Sequence, residues 1–510
     1  MKKAASLLTL CTFAAALNAA EVTVYGPASG RASVTTPAEH TSAADTLILD
    51  SSGGDGYTAD PATTYASVSV INGENAGYAR FAIGGLTIDA NSSVANYNAL
   101  SADKWDMNYF TLNFRNTNAS AASVNIDANT FNIWSAAAAP GVQYQYVNFK
   151  DTYYNFNAAT VNLGNTGASY AQNTSTMTID EGATLKWKGT NFYIKQNGIL
   201  NVNGSLIRNG GTFRLDQAGA TMNINDGATF DGVSSTNLVM VAGATMNIGT
   251  DCNVNFVPGD NLTLNGTINS ASNITFTLLT SAGTLTQTAG GIVFKRSSTM
   301  NSGANWTAYD KVTLAGTDDT DALMAKLIIN DGATFTIANG LPRVIFQGHN
   351  DLILNKANAI LDQDTNPVQL VTITSSLNNN VHINADQTFD RVYVNGGENV
   401  LGSGYGDLSI YLDGNSVLRF TYTTSFSSTN AYLKIFNFEE DSVYFNYKES
   451  VAAAVSDYVK LYSGDTEESF IGMGVLGTDG WLTAAIPEPS TYAALLGALA
   501  LGLAAYRRRK

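Results

Sequence analysis

The sequence predicts an all-β protein, most simply a β-solenoid with about 22 residues per coil. One observation is a repeated hexapeptide, GATMNI, at residues 219–224 and 243–248, with related strings GATLKW, GATF and GATFTI elsewhere. Another is the spacing of turn glycines, which form two interleaved series: Gly182, Gly204, Gly227, Gly249 and Gly198, Gly219, Gly243, Gly266. A third is that only 14% of residues are charged, against about 25% in ordinary globular domains. The residues that normally cover helix surfaces are therefore scarce.

Each repeat is typical of a glycine corner followed by a half-buried strand. Met222 and Ile224 alternate with Thr221 and Asn223, which places apolar and polar side chains on opposite faces. Glycine accommodates the positive φ that a sharp corner requires. A period of about 22 residues leaves room for about three short strands per coil, with coils stacked about 4.8 Å apart. Stacked Asn and Thr side chains would then form hydrogen-bonded ladders between coils.

The repeat suggests boundaries for the folded body. We expect solenoid coils over residues 81–425, clearest at 176–270, with residues 21–80 as an irregular N-terminal cap. If coils extended from residue 21 to about 425, some eighteen of them would form a rod about 85 Å long. The alternative is an array of antiparallel β-sandwiches with repetitive turns. A parallel β-helix is the prediction that the fixed period favours.

Residues 430–482 are richer in aromatic and charged residues and are predicted to form a C-terminal cap. Within them Val451, Val455, Val459 and Leu461 have spacings compatible with an amphipathic helix. A solenoid requires such a cover because its last coil otherwise exposes an unpaired edge.

The N-terminal segment, 1–20, has the features of a secretory signal peptide. Lys2 and Lys3 precede an apolar stretch, and the small residues Ala19 and Ala20 follow it. We therefore expect an exported chain that begins near Glu21. Cys252 is then its only cysteine, which excludes an intramolecular disulfide.

The body between these terminal segments is strongly acidic. Residues 21–486 contain 21 of the 27 Lys and Arg residues and 41 of the 42 Asp and Glu residues, for a net charge of −20. A body of this charge repels nucleic acids and anionic lipid surfaces. Nucleic-acid binding is therefore not expected.

The chain ends in IPEPSTYAALLGALALGLAAYRRRK, residues 486–510. Pro487, Glu488 and Pro489 precede a run of fifteen uncharged residues, which as a helix would span about 22 Å of a hydrocarbon core of about 30 Å. That length is enough for a transient membrane segment. The residues predicted to lie within the membrane are Tyr492, Leu496, Leu499, Leu503 and Tyr506. Four cations then form a basic stop that stays on the cytoplasmic side: Arg507, Arg508, Arg509 and Lys510.

This order of motif, apolar segment and arginine cluster resembles the PEP-CTERM sorting signal of Gram-negative bacteria. The resemblance implies cleavage by an exosortase-type protease at or near Pro487, Glu488 and Pro489. It also implies an intermediate in the inner membrane and delivery to the cell surface, outer envelope or extracellular polysaccharide. It covers only the segment 486–510 and gives a location without an activity.

Motifs for cofactor or metal chemistry are not found. His40, His349 and His382 lie far apart in sequence, and no P-loop or dinucleotide fingerprint occurs. The loops GGDGYTAD, from Gly53, and TDDTD, from Thr317, collect oxygen ligands without a calcium-binding order. We expect no cofactor, with Ca²⁺ as the one ion these loops leave open.

Two interpretations of function remain. The first is an exported structural or adhesive protein, without catalytic residues, that binds envelope or matrix glycans. The alternative is a polysaccharide lyase or glycoside hydrolase, because such enzymes occur on solenoids and use carboxylates beside a cation. Candidate groups are Asp386 and Asp390 beside Arg391, and Asp216 beside Arg214.

Overall fold

The computed structural model describes the strands of residues 21–163 and the backbone of 174–485. The gaps in this second range are 235–236, 257–260, 318–323, 340–341, 374–378, 396–406, 423–424 and 427–430. Side chains are described at 149, 154–156, 160–164 and from 175, except at or beside those gaps. In the C-terminal segment 486–510 it describes Gly497, Leu501 and Arg507. The predicted signal peptide lies outside the described residues. The chain divides into two compact units, residues 1–193 with 197–200, and residues 194–196 with 201–510.

The first unit is built from short parallel strands. They are β1 (Glu21–Tyr25), β2 (Ala32–Val34), β3 (Thr46–Asp50), β4 (Tyr57–Ala59), β5 (Thr64–Tyr65), β6 (Ser67–Ile71), β7 (Ala79–Ala82), β8 (Gly85–Asp89), β9 (Ala95–Tyr97), β10 (Trp105–Asn108), β11 (Thr111–Arg115), β12 (Val124–Ile133), β13 (Tyr144–Phe149), β14 (Tyr153–Leu163), β15 (Thr174–Ile179) and β16 (Thr184–Trp187).

Parallel pairing in this unit already includes the predicted N-terminal cap. Strands β1, β3 and β6 form one parallel sheet, and β2, β4, β7 and β10 form another. Strands β5, β8, β11, β13 and β15 form a third. Residues 21–80 thus contain regular paired strands, although their sequence shows little of the repeat.

The second unit continues the strand order after β17 (Asn191–Ile194) and β18 (Gly198–Val202), which lie at the division between units. Its strands are β19 (Ser205–Asn209), β20 (Thr212–Leu215), β21 (Thr221–Ile224), β22 (Thr229–Ser234), β23 (Asn237–Met240), β24 (Thr245–Ile248), β25 (Asn253–Asn255), β26 (Asn261–Leu264), β27 (Thr267–Ser270), β28 (Ile274–Phe276), β29 (Leu278–Ser281), β30 (Thr284–Gln287), β31 (Ile292–Phe294), β32 (Ser298–Met300), β33 (Asn305–Ala308), β34 (Lys311–Leu314), β35 (Ala325–Ile329), β36 (Thr334–Ile337), β37 (Arg343–Phe346), β38 (Asn350–Leu354), β39 (Ile360–Asp362), β40 (Gln369–Ile373), β41 (Asn379–Ile383), β42 (Gln387–Phe389), β43 (Val392–Asn395), β44 (Leu408–Leu412), β45 (Leu418–Phe420), β46 (Ser425–Phe426), β47 (Leu433–Phe436), β48 (Val443–Phe445), β49 (Val459–Tyr462), β50 (Phe470–Leu476) and β51 (Leu482–Ala484).

From β19 to β45, each strand except β39 pairs in parallel with the third strand after it, so most coils contribute one strand to each of three sheets. Strands β42, β45 and β48 form a further parallel sheet. Sheet 1 contains β21, β24, β27, β30, β33, β36 and β39. Sheet 2 contains β19, β22, β25, β28, β31, β34, β37, β40, β43 and β46. Sheet 3 contains β20, β23, β26, β29, β32, β35, β38, β41, β44, β47 and β49. The predicted all-β parallel solenoid is confirmed, whereas a β-sandwich array would require antiparallel pairing.

Coil length varies more than the glycine series suggests. Asn269 stands 22 residues after Asn247, its neighbour in the previous coil, but Asn330 stands 29 residues after Asn301. Between these two places a shorter coil pairs Thr267 directly with Thr284. The longer coil includes the loop at 317–323, of which 318–323 lie outside the described residues.

The GAT string forms a corner for a physical reason at each position. Gly243 has a φ of 79°, a conformation that costs other residues free energy. The turn is closed by the amide of Ala244, which donates to the carbonyl of Val241 at 3.1 Å. Ala244 is fully buried, and Thr245 then begins β24 with its side chain on the outer face. The small buried alanine lets successive corners stack.

The core is a column of apolar and aromatic side chains from all three sheets. Phe256 stacks on Phe276 with ring centroids 5.5 Å apart, and Trp306 lies 5.3 Å from Phe276. The buried indole of Trp306 donates to Oγ of Ser281 at 3.1 Å. Burial of each such ring stabilises the fold by roughly 1.5–3 kcal/mol, and the hydrogen bond removes the cost of an unpaired indole N–H.

The anticipated asparagine ladders are present. Asn223 donates to Asn201 at 2.8 Å, and Asn247 donates to Asn223 at 2.9 Å. Asn269 donates to Asn247 at 2.9 Å. A second ladder, in later coils, connects Asn301, Asn330, Asn355 and Asn384. Each ladder joins coils that are consecutive in space and 22 to 29 residues apart in sequence.

The C-terminal end departs from the coil pattern. Parallel pairing continues to β49, past the residue near 425 where the repeat becomes unreadable. The predicted helix is confirmed as α1 (Glu449–Tyr458), which buries Val451 and Val455, although Val459 and Leu461 belong to β49. A short 3-10 helix (Glu467–Ser469) precedes β50. Strand β50 then pairs antiparallel with β49 and β51.

Candidate functional site

Most of the predicted sorting residues lie outside the described residues. These are Pro487, Glu488, Pro489, Tyr492, Leu496, Leu499, Leu503, Tyr506, Arg508, Arg509 and Lys510. Leu501 and Arg507 are described as helical, and Leu501 is 73% exposed. Within the described part of the chain, no helix combines the length and apolar character needed to cross a membrane.

The carboxylates that suggested catalysis are each bonded to a guanidinium or a backbone amide. Asp216 forms an ion pair with Arg214, with Oδ1 2.9 Å from Nη2. Asp386 accepts the backbone amide of Val417 at 2.8 Å and so supports a corner of the next coil. Asp390 pairs with Arg391 at 2.9 Å. Each of these carboxylates therefore has a structural partner in the second unit.

The structure describes His349, His382 and Cys252 among the residues considered for metal binding. His382 stacks on Tyr411, with burial lowering its pKa, while His40 lies outside the described residues. Cys252 is a free thiol whose pKa burial raises. No three His, Cys, Asp or Glu side chains are placed to hold a metal ion in the part of the chain with described side chains. The side chains of the Gly53 loop and most of the Thr317 loop are outside that part.

A column of stacked rings lies on the outer side of sheet 3. Tyr411 stacks on Phe436 with centroids 4.6 Å apart, and Phe436 stacks on Tyr462 at 4.4 Å. Their faces cover one another, and Phe436 and Tyr462 are buried, so the column offers no flat platform to a sugar ring. Beside them the ammonium of Lys434 contacts Asp407 and Glu467, each at 2.6 Å. This arrangement fastens the last coils together.

The strongest candidate site is the Tyr422 cluster, formed by Asp390, Arg391, Tyr393, Tyr422 and Lys448. Asp390 and Arg391 stand at the corner before β43, and Tyr422 follows β45 in the next coil. The backbone amide of Tyr422 donates to the carbonyl of Asp390 at 2.7 Å. Parallel stacking therefore brings together residues that are a whole coil apart in sequence.

The cluster presents an exposed ring close to two cations. Tyr422 is 49% exposed. The guanidinium carbon of Arg391 lies 4.1 Å from its ring centroid, and Nζ of Lys448 lies 5.2 Å from it. Arg391 also donates through Nη1 to the Tyr393 hydroxyl at 3.1 Å. Such contacts between cations and an aromatic face hold the ring in place.

Electrostatics in the cluster favour a fixed, charged guanidinium. Burial works to lower the pKa of Arg391, but its hydrogen bonds to Tyr393 and Asp390 outweigh that effect and raise the pKa. Asp390 also accepts from Nε2 of Gln369 at 3.1 Å. Arg391 and Lys448 form a locally cationic spot on an acidic chain, equipped with a ring and several hydrogen-bonding groups. The cluster can therefore contact the hydroxyl groups and the ring faces of a sugar.

Sequence reasoning found Asp390 and Arg391 but missed Tyr393, Tyr422 and Lys448. The segment around Tyr422, FTYTTS, has no motif, and only the register between β42 and β45 places it one coil beyond Arg391. The coil at this point is 31 residues long, as the bond between Asp386 and Val417 shows. The shorter period read from the glycines therefore does not lead from Arg391 to Tyr422.

Comparison with known families decides what the C-terminal end is. Residues 485–510 match the PEP-CTERM protein-sorting motif. The chain ends in a PEP-CTERM motif. The motif implies that the chain is exported, processed at the membrane by an exosortase, which is a membrane protease, and then delivered to the cell surface. No curated protein and no solved structure matches the chain.

Proposed function

We propose that this PEP-CTERM protein is a structural and adhesive element of the cell surface that holds envelope or matrix glycans without transforming them. The Tyr422 cluster is the observation that carries this proposal. It combines a half-exposed ring with two cations and a fixed carboxylate on a parallel β scaffold. Sorting supplies the location, since exosortase processing delivers the chain to the surface where glycans lie.

The scaffold supports a mechanical role. Parallel strands of the second unit pair in register from coil to coil, and asparagine ladders add hydrogen bonds along the same direction. Each such bond contributes about 0.5–1.5 kcal/mol net. A scaffold with many small, repeated contributions suits a protein that stands outside the cell and bears load.

A non-catalytic role is supported by the engagement of the acidic residues. Asp216, Asp386 and Asp390 each bond a neighbouring guanidinium or backbone amide. A glycoside hydrolase instead requires paired carboxylates that face a common substrate. The enzymatic alternative predicts release of unsaturated or reducing sugar ends from a glycan panel, and a complete lack of product from every glycan would reject it.

The finer location is also part of the proposal. An intermediate in the inner membrane of a Gram-negative cell, with the acidic body outside and Arg507, Arg508, Arg509 and Lys510 inside, agrees with the charge distribution. From there the processed chain would join the outer envelope or the extracellular polysaccharide.

The test compares retention of the protein on columns of envelope and matrix polysaccharides. Tyr422→Ala removes the exposed ring, and we expect at least tenfold weaker retention than for the native protein. Tyr432→Ala is the matched control because Tyr432 is also a surface tyrosine with a cation, Lys460, 3.5 Å from its ring. Equal retention of native protein and Tyr422→Ala would remove the cluster from the proposal. A native protein that binds no polysaccharide would leave only the structural role.

A further inference from the structure

The outer side of sheet 1 has an ordered composition that the proposed function does not use. Each of six consecutive strands, β21, β24, β27, β30, β33 and β36, points two side chains outward. In-register pairing aligns them in two columns. The first column is Thr221, Thr245, Thr267, Thr284, Asn305 and Thr334, and the second is Asn223, Asn247, Asn269, Thr286, Thr307 and Thr336. We call these twelve residues the Thr/Asn face.

This composition is specific to one sheet. All twelve positions are threonine or asparagine, so the face has no charge. Outward positions on sheet 2 include Asp231 and Lys311, and those on sheet 3 include Arg214 and Lys326. The chain has a net charge of −15, yet these six strands form a neutral strip that is rich in hydroxyl and amide groups. The general polarity of the chain does not explain such a difference between sheets.

The amide groups of the strip are held in one orientation. In the ladder from Asn201 to Asn269 each side chain donates one N–H to the preceding residue. Because an amide has two N–H groups and two acceptor lone pairs, a second donor remains on each asparagine for a ligand. Groups that are already fixed lose little side-chain entropy when they bind.

The dimensions of the strip fit an extended polymer. Six strands span five intervals of about 4.8 Å, or about 24 Å, and two outward residues on a strand lie about 7 Å apart. One sugar of an extended polysaccharide advances by about one such interval, so successive sugars meet equivalent groups. A second copy of the chain is a poorer fit, since the strip offers only some hundreds of Å² against about 800 Å² per partner in a stable dimer.

Charge selects among polysaccharides. The acidic body repels an acidic chain at a distance, and the strip has no cation to bind carboxylate or sulfate groups. A neutral chain is not repelled and brings hydroxyl groups that complement threonine and asparagine. We propose that the Thr/Asn face binds one extended chain of a neutral polysaccharide laid across the coils. This inference rests on the proposed glycan-binding role and adds a second site with a defined ligand class.

The test uses two matched pairs of substitutions in the full chain. Thr245→Glu with Thr267→Glu places two long charged side chains in the middle of the strip, at positions that pair directly. Thr263→Glu with Thr280→Glu does the same on the outer side of sheet 3, where these threonines also pair. Both variants leave the asparagine ladder and the Tyr422 cluster intact. Circular dichroism and thermal melting identify any variant that fails to fold, for which Thr245→Gln with Thr267→Gln serves instead.

The readout is retention on cellulose, a neutral glucan, and on alginate, an acidic polysaccharide. We expect native protein to be retained on cellulose, the sheet 1 variant to bind at least tenfold more weakly, and the sheet 3 variant to bind as native.

Equal cellulose binding by all three proteins overturns the inference, as does binding of the native protein to alginate alone. If only Tyr422→Ala abolishes retention, the strip is rejected and the proposed function stands. Absence of all retention rejects both glycan sites. Concentration-dependent association that only the sheet 1 variant abolishes would instead identify the strip as a contact between copies.

Discussion

The side-chain amide of Asn247 donates to Oδ1 of Asn223, one coil earlier, at 2.9 Å, and Oδ1 of Asn247 accepts from Asn269 at the same distance. Asn247→Ala removes both bonds at once. Since each contributes about 0.5–1.5 kcal/mol net, we expect the free energy of unfolding to fall by about 1–3 kcal/mol. Urea denaturation followed by circular dichroism measures the loss.

The matched control for the ladder is Asn265→Ala. Asn265 lies in an exposed corner and contributes its backbone amide to the carbonyl of Met240, a bond that the substitution retains. Asn265→Ala should change the free energy of unfolding by no more than about 0.5 kcal/mol. Equal effects of the two substitutions would show that the ladder adds nothing to stability.

The hydrogen bond between Trp306 and Ser281 predicts that Ser281→Ala lowers the free energy of unfolding. Ser281→Ala leaves the buried indole N–H without its acceptor, and an unsatisfied buried donor costs about 1–3 kcal/mol. The near-ultraviolet circular dichroism of tryptophan should change as well, because the ring loses its fixed partner. Thr280→Ala, next in sequence but exposed, should change neither quantity. If Ser281→Ala leaves the stability unchanged, the indole N–H has found another acceptor.

Two corner glycines separate backbone strain from steric contact. Gly227 and Gly243 have similar positive φ values of 73° and 79°. A Cβ at Gly227 would meet nothing within 4 Å, whereas at Gly243 it would lie 2.8 Å from Cβ of Ala218. Gly227→Ala should cost about 1–2 kcal/mol for the backbone alone, and Gly243→Ala about 1–3 kcal/mol more for overpacking. Thermal melting of both variants measures the difference, and an equal cost would show that adjacent corners move apart freely.

The Lys434 ion pairs predict a pH dependence for the C-terminal coils. The hydrogen bond from Lys434 lowers the pKa of Glu467. The stabilisation is therefore present above the ordinary range of glutamate and is lost as the pH falls through the lowered pKa. Glu467 is 68% exposed, so solvent screening makes the effect small.

The measurement is the melting temperature from neutral pH to a pH below the glutamate range. Glu467→Gln should lose slightly less stability on acidification than the native protein does. The matched control is Glu468→Gln, a change at the neighbouring acidic residue that leaves the Lys434 ion pairs in place. A Glu467→Gln variant with the native pH profile would show that this pair contributes nothing measurable.

Much of the fold could be predicted because local chemistry repeats. Glycine at the corner, alanine beneath it and an alternating strand appear in one string, GATMNI, so turns and faces follow from a few residues. The helix beginning at Glu449 was also predictable, because its buried Val451 and Val455 stand one helical turn apart. The end of the helix was not predictable. Val459 and Leu461 continue the apolar pattern, but they belong to β49, which pairs with β47 of the neighbouring coil.

The candidate site was harder to predict because it depends on register between coils. Coil length changes with each insertion, so no fixed spacing relates Arg391 to Tyr422, or Lys434 to Glu467, 33 residues away. Adjacent residues such as Asp390 and Arg391 were found because their pairing needs no knowledge of the fold. The uniform polarity of the Thr/Asn face was equally hard to predict. It depends on the register between coils, and only the three-dimensional stacking determines that register.

The proposed role depends above all on exosortase processing of this chain and on arrival of the processed body at the cell surface. Both are tested by the intact mass and the C-terminal peptide of protein recovered from the surface of the producing cell. We predict a chain that ends near Pro487 to Pro489 and lacks the basic stop. A surface chain that retains Arg509 and Lys510 would contradict this prediction.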